Sequence, residues 1–170
     1  MKRLVLIISV AAILTLSWFV LLKYESTRKK AEVLERAVPE DIRAMLKNAQ
    51  TFFILSLDPN PPEREYRVDQ DRSDLFHGYV IRERRNVPKG AERKRLLEAL
   101  YRSIEDSDGG FDLCFRPRHA LSIQFGARTT DILVCFECRL IRVYSPEVRE
   151  IVIAAKEQPV FDSALHERKE

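Results

Sequence analysis

The chain is poor in the residues from which many catalytic and disulfide-rich proteins are built. It has only five glycines, three cysteines and three histidines among 170 residues. The sequence contains no glycine-rich phosphate loop, no G-x-S-x-G nucleophile motif and no H-E-x-x-H zinc motif. Three cysteines form at most one internal disulfide, which excludes a small fold held together by several such bonds. The core must therefore be built from buried apolar side chains.

A marked excess of one charge is also lacking. Lys and Arg total 29 against 26 Asp and Glu, which gives a net charge of +3. Such a small excess does not indicate a nucleic acid partner. The most basic stretch, residues 82–102, largely covers the polar face of a predicted helix, so we expect no nucleic acid binding. If the domain is tethered to a membrane, contact of this stretch with lipid head groups is favoured over contact with nucleic acid.

The one long apolar run lies at the N-terminus. Leu4 to Leu22 comprises 19 consecutive residues without a charge, between basic residues on both sides. As a helix it would be about 28 Å long, which matches the apolar thickness of a bilayer. No small-x-small cleavage site follows it. The sequence therefore predicts one uncleaved transmembrane helix that anchors the protein in the cell membrane as a single-pass protein.

Two signals for the orientation of this anchor conflict. Four basic residues follow the run, Lys23, Arg28, Lys29 and Lys30, and they favour a cytoplasmic C-terminal domain. A very short basic N-terminus before an apolar run is instead typical of a signal anchor, and long domains cross the membrane largely regardless of charge. We expect the soluble domain to be extracytoplasmic.

The rest of the chain divides into a soluble domain over residues 38–158 and a charged C-terminal tail over 159–170, after an anchor with its juxtamembrane extension over 1–37. Amphipathic stripes predict helices over 40–49 and 91–104. Runs of β-prone residues predict strands over 51–57, 75–84, 111–115, 120–125 and 131–144. Ser145 and Pro146 predict a final helix, because proline suits the first helical turn.

The connections between the last three predicted strands are too short for parallel crossovers. The sequence therefore predicts an α+β fold, in which an antiparallel sheet carries helices packed mainly on one face.

One stretch contains all three cysteines and a histidine: Cys114, His119, Cys135 and Cys138. Their spacing, C-x4-H followed by C-x-x-C, matches the ligand types of a zinc site. In a strand over 131–144, however, Cys135 and Cys138 point to opposite faces, with Cys138 in the core. Cys114 and Cys135 then share the other face, where neighbouring strands would bring them into disulfide range. Unpaired structural thiols are the default, and this disulfide, which would need an oxidising compartment, is a candidate that ranks ahead of the four-ligand zinc site.

Two further kinds of site stay open for these residues. C-x-x-C is the spacing of thioredoxin-type dithiols, but that chemistry uses a helix N-terminus, which this segment lacks. Cys114 or Cys135 with His119 as base, oriented by Glu137 or Asp131, would form a nucleophilic site. Nothing in the spacing selects these residues, so we assign no catalytic residue and no cofactor.

Four short motifs occur in order along the chain: LSLDP at 55–59, FHGY at 76–79, CFRPRH at 114–119 and CFEC at 135–138. With them, residues 50–145 resemble a family of uncharacterised bacterial envelope proteins that carry CFxPRH-like and later CFxC motifs. The resemblance implies an exported, envelope-associated domain and carries no known activity. The sequence thus predicts a non-catalytic interaction or accessory protein. The alternative is a thiol- or metal-dependent enzyme centred on Cys114, His119 and Cys135.

Overall fold

Four α-helices and seven β-strands occur in the residues that the computed structural model describes, 2–60 and 74–166, with side chains described from residue 16 onward. The helices are α1 (Lys2–Ala37), α2 (Glu40–Asn48), α3 (Ala91–Glu105) and α4 (Gln158–His166), and a 3-10 turn spans Ala155–Glu157. The strands are β1 (Thr51–Leu57), β2 (Leu75–Phe76), β3 (Tyr79–Asn86), β4 (His119–Phe125), β5 (Arg128–Cys135), β6 (Leu140–Ser145) and β7 (Glu147–Val152).

All seven strands belong to one sheet, in the order β2-β3-β1-β4-β5-β6-β7. Every neighbouring pair is antiparallel. The central position of β1, between β3 and β4, fits its sequence TFFILSL, whose apolar residues suit a strand buried on both faces. The predicted antiparallel α+β fold is confirmed.

The main core lies between one face of this sheet and the helices. Helix α2 buries Ile42 and Leu46, while α3 buries Leu96, Leu100 and Ile104 at helical spacing. Helix α4 adds a further set of buried residues, Phe161, Ala164 and Leu165. They pack on the inward residues of the strands, such as Ile54 of β1 and Val134 of β5. Full burial of one such aliphatic or aromatic side chain contributes about 1.5–3 kcal/mol, so this interface dominates the stability of the domain.

No described helix contributes to the apolar cluster on the other face of the sheet. Its fully buried members are Leu55, Leu57, Ala120 and Leu133. Partly buried aromatic residues cover them, and arginines lie over two of these rings. The Arg84 guanidinium is 4.2 Å from the ring centroid of Phe53, and that of Arg142 is 4.1 Å from Phe115. Long side chains of the strands and loops therefore exclude water from this face of the sheet.

The C-terminal third differs from the prediction. The helix predicted after Ser145 is wrong, because this segment is β7, the edge strand beside β6. Pro146 lies between β6 and β7, where it interrupts no ladder, and the β-branched Val148, Ile151 and Val152 suit a strand. Residues 158–166 form α4 instead of a charged tail, since Phe161 anchors them in the core. Residues 167–170 of the predicted tail lie outside the described residues.

Helix α1 is continuous, and among its side chains from residue 16 onward those near its C-terminal end pack against the domain. Leu34 and Ala37 pack against the main core. The Lys30 ammonium lies 2.6 Å from the Asp106 carboxylate at the end of α3. Lys156 also binds Asp106. The hydrogen bond from Lys156, which has the larger effect, and the one from Lys30 hold the pKa of Asp106 below its usual value. Asp106 thus joins α1, α3 and the 3-10 turn.

No helix in the described part of the chain is both long and apolar enough to cross a membrane. Most of the run that predicts a transmembrane helix, Leu4 to Leu22, falls on residues whose side chains lie outside the described ones.

One charged residue, Arg93 of α3, is buried in the core at 5% exposure. Its guanidinium donates hydrogen bonds to the carbonyl of Val87 from Nε at 3.1 Å and from Nη2 at 2.5 Å, and to that of Ala49 from Nη1 at 2.9 Å. It also lies 5.1 Å from the ring centroid of Phe52. Burial lowers its pKa. Arg93 therefore ties α3 to the segments that flank α2 and β3.

We expect Arg93→Met to lower the free energy of unfolding by about 2–4 kcal/mol, because two buried carbonyls lose their donors. Urea unfolding followed by far-UV circular dichroism measures this loss. Arg95→Met is the matched control, since Arg95 is exposed on the same helix and such substitutions stay within about 0.5 kcal/mol. Equal stability of the two variants would contradict the proposed role of Arg93.

Candidate functional site

The C-x-x-C motif forms the turn between β5 and β6. Strand β5 ends at Cys135 and β6 begins at Leu140. Arg139 has a φ of 55°, a left-handed conformation usually taken by glycine, and its N–H donates to the carbonyl of Phe136 at 3.2 Å. The Cys138 N–H also donates to Cys135 Sγ at 3.1 Å. The prediction of one long strand over 131–144 is therefore wrong, and the two cysteines do not point to opposite faces.

Cys135 and Cys138 form a disulfide, with their Cα atoms 5.2 Å apart. Both residues are buried, in a small cluster with Leu140 and against Phe115. Cys114 is free and exposed. The structure thus pairs Cys135 with Cys138 instead of with Cys114, the candidate partner. The physical reason is that residues 111–115 form no strand beside β5 and lie in the loop between α3 and β4.

That loop is held over the turn by hydrogen bonds to Cys138. The Asp112 N–H donates to its carbonyl at 3.0 Å, and the Arg116 N–H donates to its Sγ at 3.3 Å. The Arg139 guanidinium donates to both carboxylate oxygens of Asp108, at 3.0 and 3.1 Å. Gly110 permits this approach, because a Cβ there would be 2.5 Å from Arg139 Nη2. The disulfide turn therefore fixes the path of residues 108–116.

His119, at the start of β4, is buried at 4% exposure. Its Nε2 lies 2.7 Å from the carboxylate of Asp162 on α4. The edges of two aromatic rings surround the imidazole, with centroids at 5.6 Å for Phe136 and 5.9 Å for Phe161. Burial lowers the pKa of His119, although the Asp162 carboxylate opposes that shift. Because a carboxylate only accepts, Nε2 carries the proton and donates to Asp162.

The predicted cysteine and histidine set is not brought together. His119 pairs with Val134 of β5 and packs on the helix side of the sheet. Side chains alternate along β5, so Cys135 lies on the opposite side. Over residues 2–60 and 74–166, no group of three or more His, Cys, Asp and Glu is arranged to hold a metal ion. The four residues proposed as zinc ligands, Cys114, His119, Cys135 and Cys138, are thus spread over two faces and a loop.

The two carboxylates considered as partners of His119 are engaged elsewhere. Glu137 accepts from Arg118 Nε at 3.0 Å. Asp131 accepts from Ser122 Oγ at 2.7 Å and lies 2.9 Å from His77 Nε2. Neither orients His119, a role that Asp162 of the unpredicted helix α4 takes instead.

The network of His77, Asp131 and Ser122 was missed by sequence reasoning. His77 stacks on Tyr144 with a centroid distance of 3.9 Å. Its φ of 50° and the φ of 87° at Gly78 make the tight turn between β2 and β3. Gly78 in FHGY was the available signal for this turn. The pairing of Ser122 with Asp131 follows from the register of β4 and β5, which the sequence did not specify.

A second feature that the sequence did not reveal is a groove of about 670 Å³ between α1, α2 and α3. We call it the basic groove. Leu34, Leu97 and Tyr101 form its apolar floor, and Arg43, Lys47, Lys89 and Lys94 line its rim. Burial raises the pKa of Tyr101, and the nearby charge of Arg43 opposes that shift. Helical periodicity placed Leu97 and Tyr101 in the core, but only the approach of α1 and α2 turns them into the floor of a groove.

No protein-family model, curated protein or solved structure matches this chain. The family resemblance suggested by the four motifs therefore stays a prediction.

The disulfide predicts a specific thiol count. Alkylation of the unfolded, unreduced protein should modify one cysteine, Cys114, and alkylation after reduction should modify three. Cys138→Ser should lower the free energy of unfolding by about 2 kcal/mol, the chain-entropy value for a loop this short, whereas Cys114→Ser should leave it almost unchanged. Mass spectrometry of the alkylated peptides measures the count. Three modified cysteines without reductant would contradict the assigned bond.

Burial of His119 predicts a pH dependence of stability. The pKa of His119 is lowered in the folded state. Below the ordinary value of about 6.5, the unfolded state therefore binds more protons than the folded state does. The free energy of unfolding should therefore decrease from about pH 6.5 downward, until the pH passes the lowered folded pKa. His119→Asn should remove this part of the slope. His166→Asn, at an exposed position on α4, is the control and should retain it; identical slopes in both variants would refute the assignment.

Proposed function

We propose that the protein is a membrane-tethered, non-catalytic interaction or accessory protein of the bacterial envelope. The observation that carries the tether is an exposed apolar surface on α1. Seven large apolar side chains between residues 16 and 24 are 50 to 71% exposed: Leu16, Trp18, Phe19, Val20, Leu21, Leu22 and Tyr24. A contiguous apolar surface of this kind is unfavourable in water and marks a membrane or partner contact.

A bilayer is the cover that fits this surface best. The exposed residues continue the uncharged run that begins at Leu4, and a helix of that length matches the apolar thickness of a membrane. Trp18 and Tyr24 lie near the end of the run, where aromatic rings favour the interface. The basic residues that follow, Arg28 to Lys30, would then meet the lipid head groups.

The disulfide supports an extracytoplasmic location for the soluble domain. Bonds such as Cys135–Cys138 persist in oxidising compartments and are rare in the cytosol of mesophiles, where thiols are kept reduced. This agrees with the signal-anchor layout of the N-terminus and favours export over a cytoplasmic domain.

The geometry around His119 supports a non-catalytic role. Its Nε2 is bound to Asp162, and the space beside it is about 10 Å³, roughly enough for one water molecule. Cys135 lies in the disulfide on the other side of the sheet. The alternative, a thiol- or metal-dependent enzyme centred on Cys114, His119 and Cys135, finds no support in this arrangement.

We expect the full chain to remain with the membrane fraction of expressing bacteria after an alkaline carbonate wash. Leu16→Lys combined with Phe19→Lys should release much of it, since each lysine within the run adds a cost that reaches about 2.5–3.5 kcal/mol at the centre of a span. Immunoblotting of pellet and supernatant measures the distribution. Ser26→Lys with Thr27→Lys adds the same charge beyond the run and should have no effect.

Release of the unaltered chain by carbonate would overturn the tether. A reporter that is active only outside the cytoplasm, fused after Glu170, tests the compartment. Activity of that fusion is expected, and an inactive fusion on an intact membrane-bound chain would overturn the proposed orientation.

A further inference from the structure

The basic groove has the size and floor of a small-molecule site. Its volume of about 670 Å³ falls within the range of about 300–1,000 Å³ that is usual for ligand pockets. Leu34 from α1 and Leu97 and Tyr101 from α3 form the floor, and all three are only partly buried against the core. A ligand with an apolar body would complete their burial, at about 25 cal/mol for each Å² removed from water.

The rim of the groove has a large excess of positive charge. Arg43, Lys47, Lys89 and Lys94 face one acidic lining residue, Glu98, which is paired with Lys94 at 3.7 Å. The Arg43 guanidinium is 3.9 Å from Glu35, a long contact between partly exposed groups. Within the described residues, Lys47 and Lys89 form no ion pair. The rim therefore complements a ligand that bears negative charge.

Arg43 also has an unsatisfied donor. Its Nε is inaccessible to solvent and has no hydrogen-bond partner in the described part of the chain. A buried donor without a partner costs about 1–3 kcal/mol. Arg43 lines the groove beside Tyr101, so a bound anionic group toward which the guanidinium turns would supply the missing acceptor. The unpaired donor is an observation independent of the excess positive charge, and both indicate a ligand with a negatively charged group.

We propose that the basic groove binds a medium-chain fatty acid, with the alkyl chain on the floor of Leu34, Leu97 and Tyr101 and the carboxylate at Arg43 and Lys47. Because the floor is apolar and the rim is cationic, a ligand that complements both is apolar at one end and anionic at the other. The proposal deepens the interaction role and rests on it, because it names the ligand of the tethered domain.

The test uses the full chain in nanodiscs of zwitterionic phosphatidylcholine and measures binding of radiolabelled decanoate by equilibrium dialysis, with empty nanodiscs subtracted. Saturable binding is expected, and decanol, the neutral ligand of equal length, should bind at least about tenfold more weakly. Arg43→Gln combined with Lys47→Gln should weaken decanoate binding by about tenfold and leave decanol binding unchanged. Leu97→Asn, which places a polar group on the floor, should weaken both.

Arg149→Gln is the matched control. Arg149 lines a different cavity, between α1, α3 and β7, so its loss should not change decanoate binding. Thermal unfolding of each variant, compared with the parent, separates loss of binding from loss of fold. Equal affinity for decanol and decanoate, or full binding by a folded double variant, would overturn the proposal.

A photoreactive amino acid at position 97, activated in living cells, distinguishes other occupants. An adduct with the mass of one fatty acid supports the proposal, whereas a crosslink to a second copy or to another protein overturns it. If decanoate fails to bind a chain that still resists carbonate, the ligand is wrong and the tether stands. If carbonate releases the chain, the tether itself has failed.

Discussion

In residues 38–60 and 74–166, the helices that pack on the sheet all do so from one side, and this constraint shapes the rest of the structure. The other face, to which no described helix contributes, still contains fully buried residues such as Leu55 and Leu133, so strand side chains and a loop must exclude water from it. The loop brings Phe115 onto that face, and its path is set by hydrogen bonds to Cys138. The disulfide turn therefore acts as a structural clip for this loop.

The periodicity of apolar residues was sufficient to predict the helices and strands in which these residues follow a single pattern. Stripes such as Ile42–Leu46 and Leu96–Ile104 predicted α2 and α3, and the short connections predicted the antiparallel sheet. The cysteine pairing was not predictable in this way. Only five glycines occur in the chain, and the turn between β5 and β6 uses Arg139 in the left-handed conformation instead. Without a glycine or proline, nothing in the sequence marked the end of β5.

Two other features depend on contacts that are distant in sequence. Val148, Ile151 and Val152 satisfy a helical spacing as well as an edge strand, and pairing with β6 decides between them. The basic groove combines Leu34, Arg43 and Leu97 from three helices, so no local pattern contains it. The four proposed zinc ligands were chosen from one stretch of sequence. Because that stretch crosses a sheet, closeness in sequence did not predict that their side chains lie together.

Helix α1 connects the proposed membrane tether to the basic groove. Lys30 and Leu34 fix its C-terminal part to the domain through Asp106 and the core. The helix is continuous between Leu22, the end of the uncharged run, and Leu34, a separation of about 18 Å along the axis. A bilayer around the run would therefore hold the groove at a fixed height above the head groups. A lipid with both ends in the membrane could not reach it, whereas a single-chain ligand that has left the bilayer could, and the basic residues after the run would draw its carboxylate toward the domain.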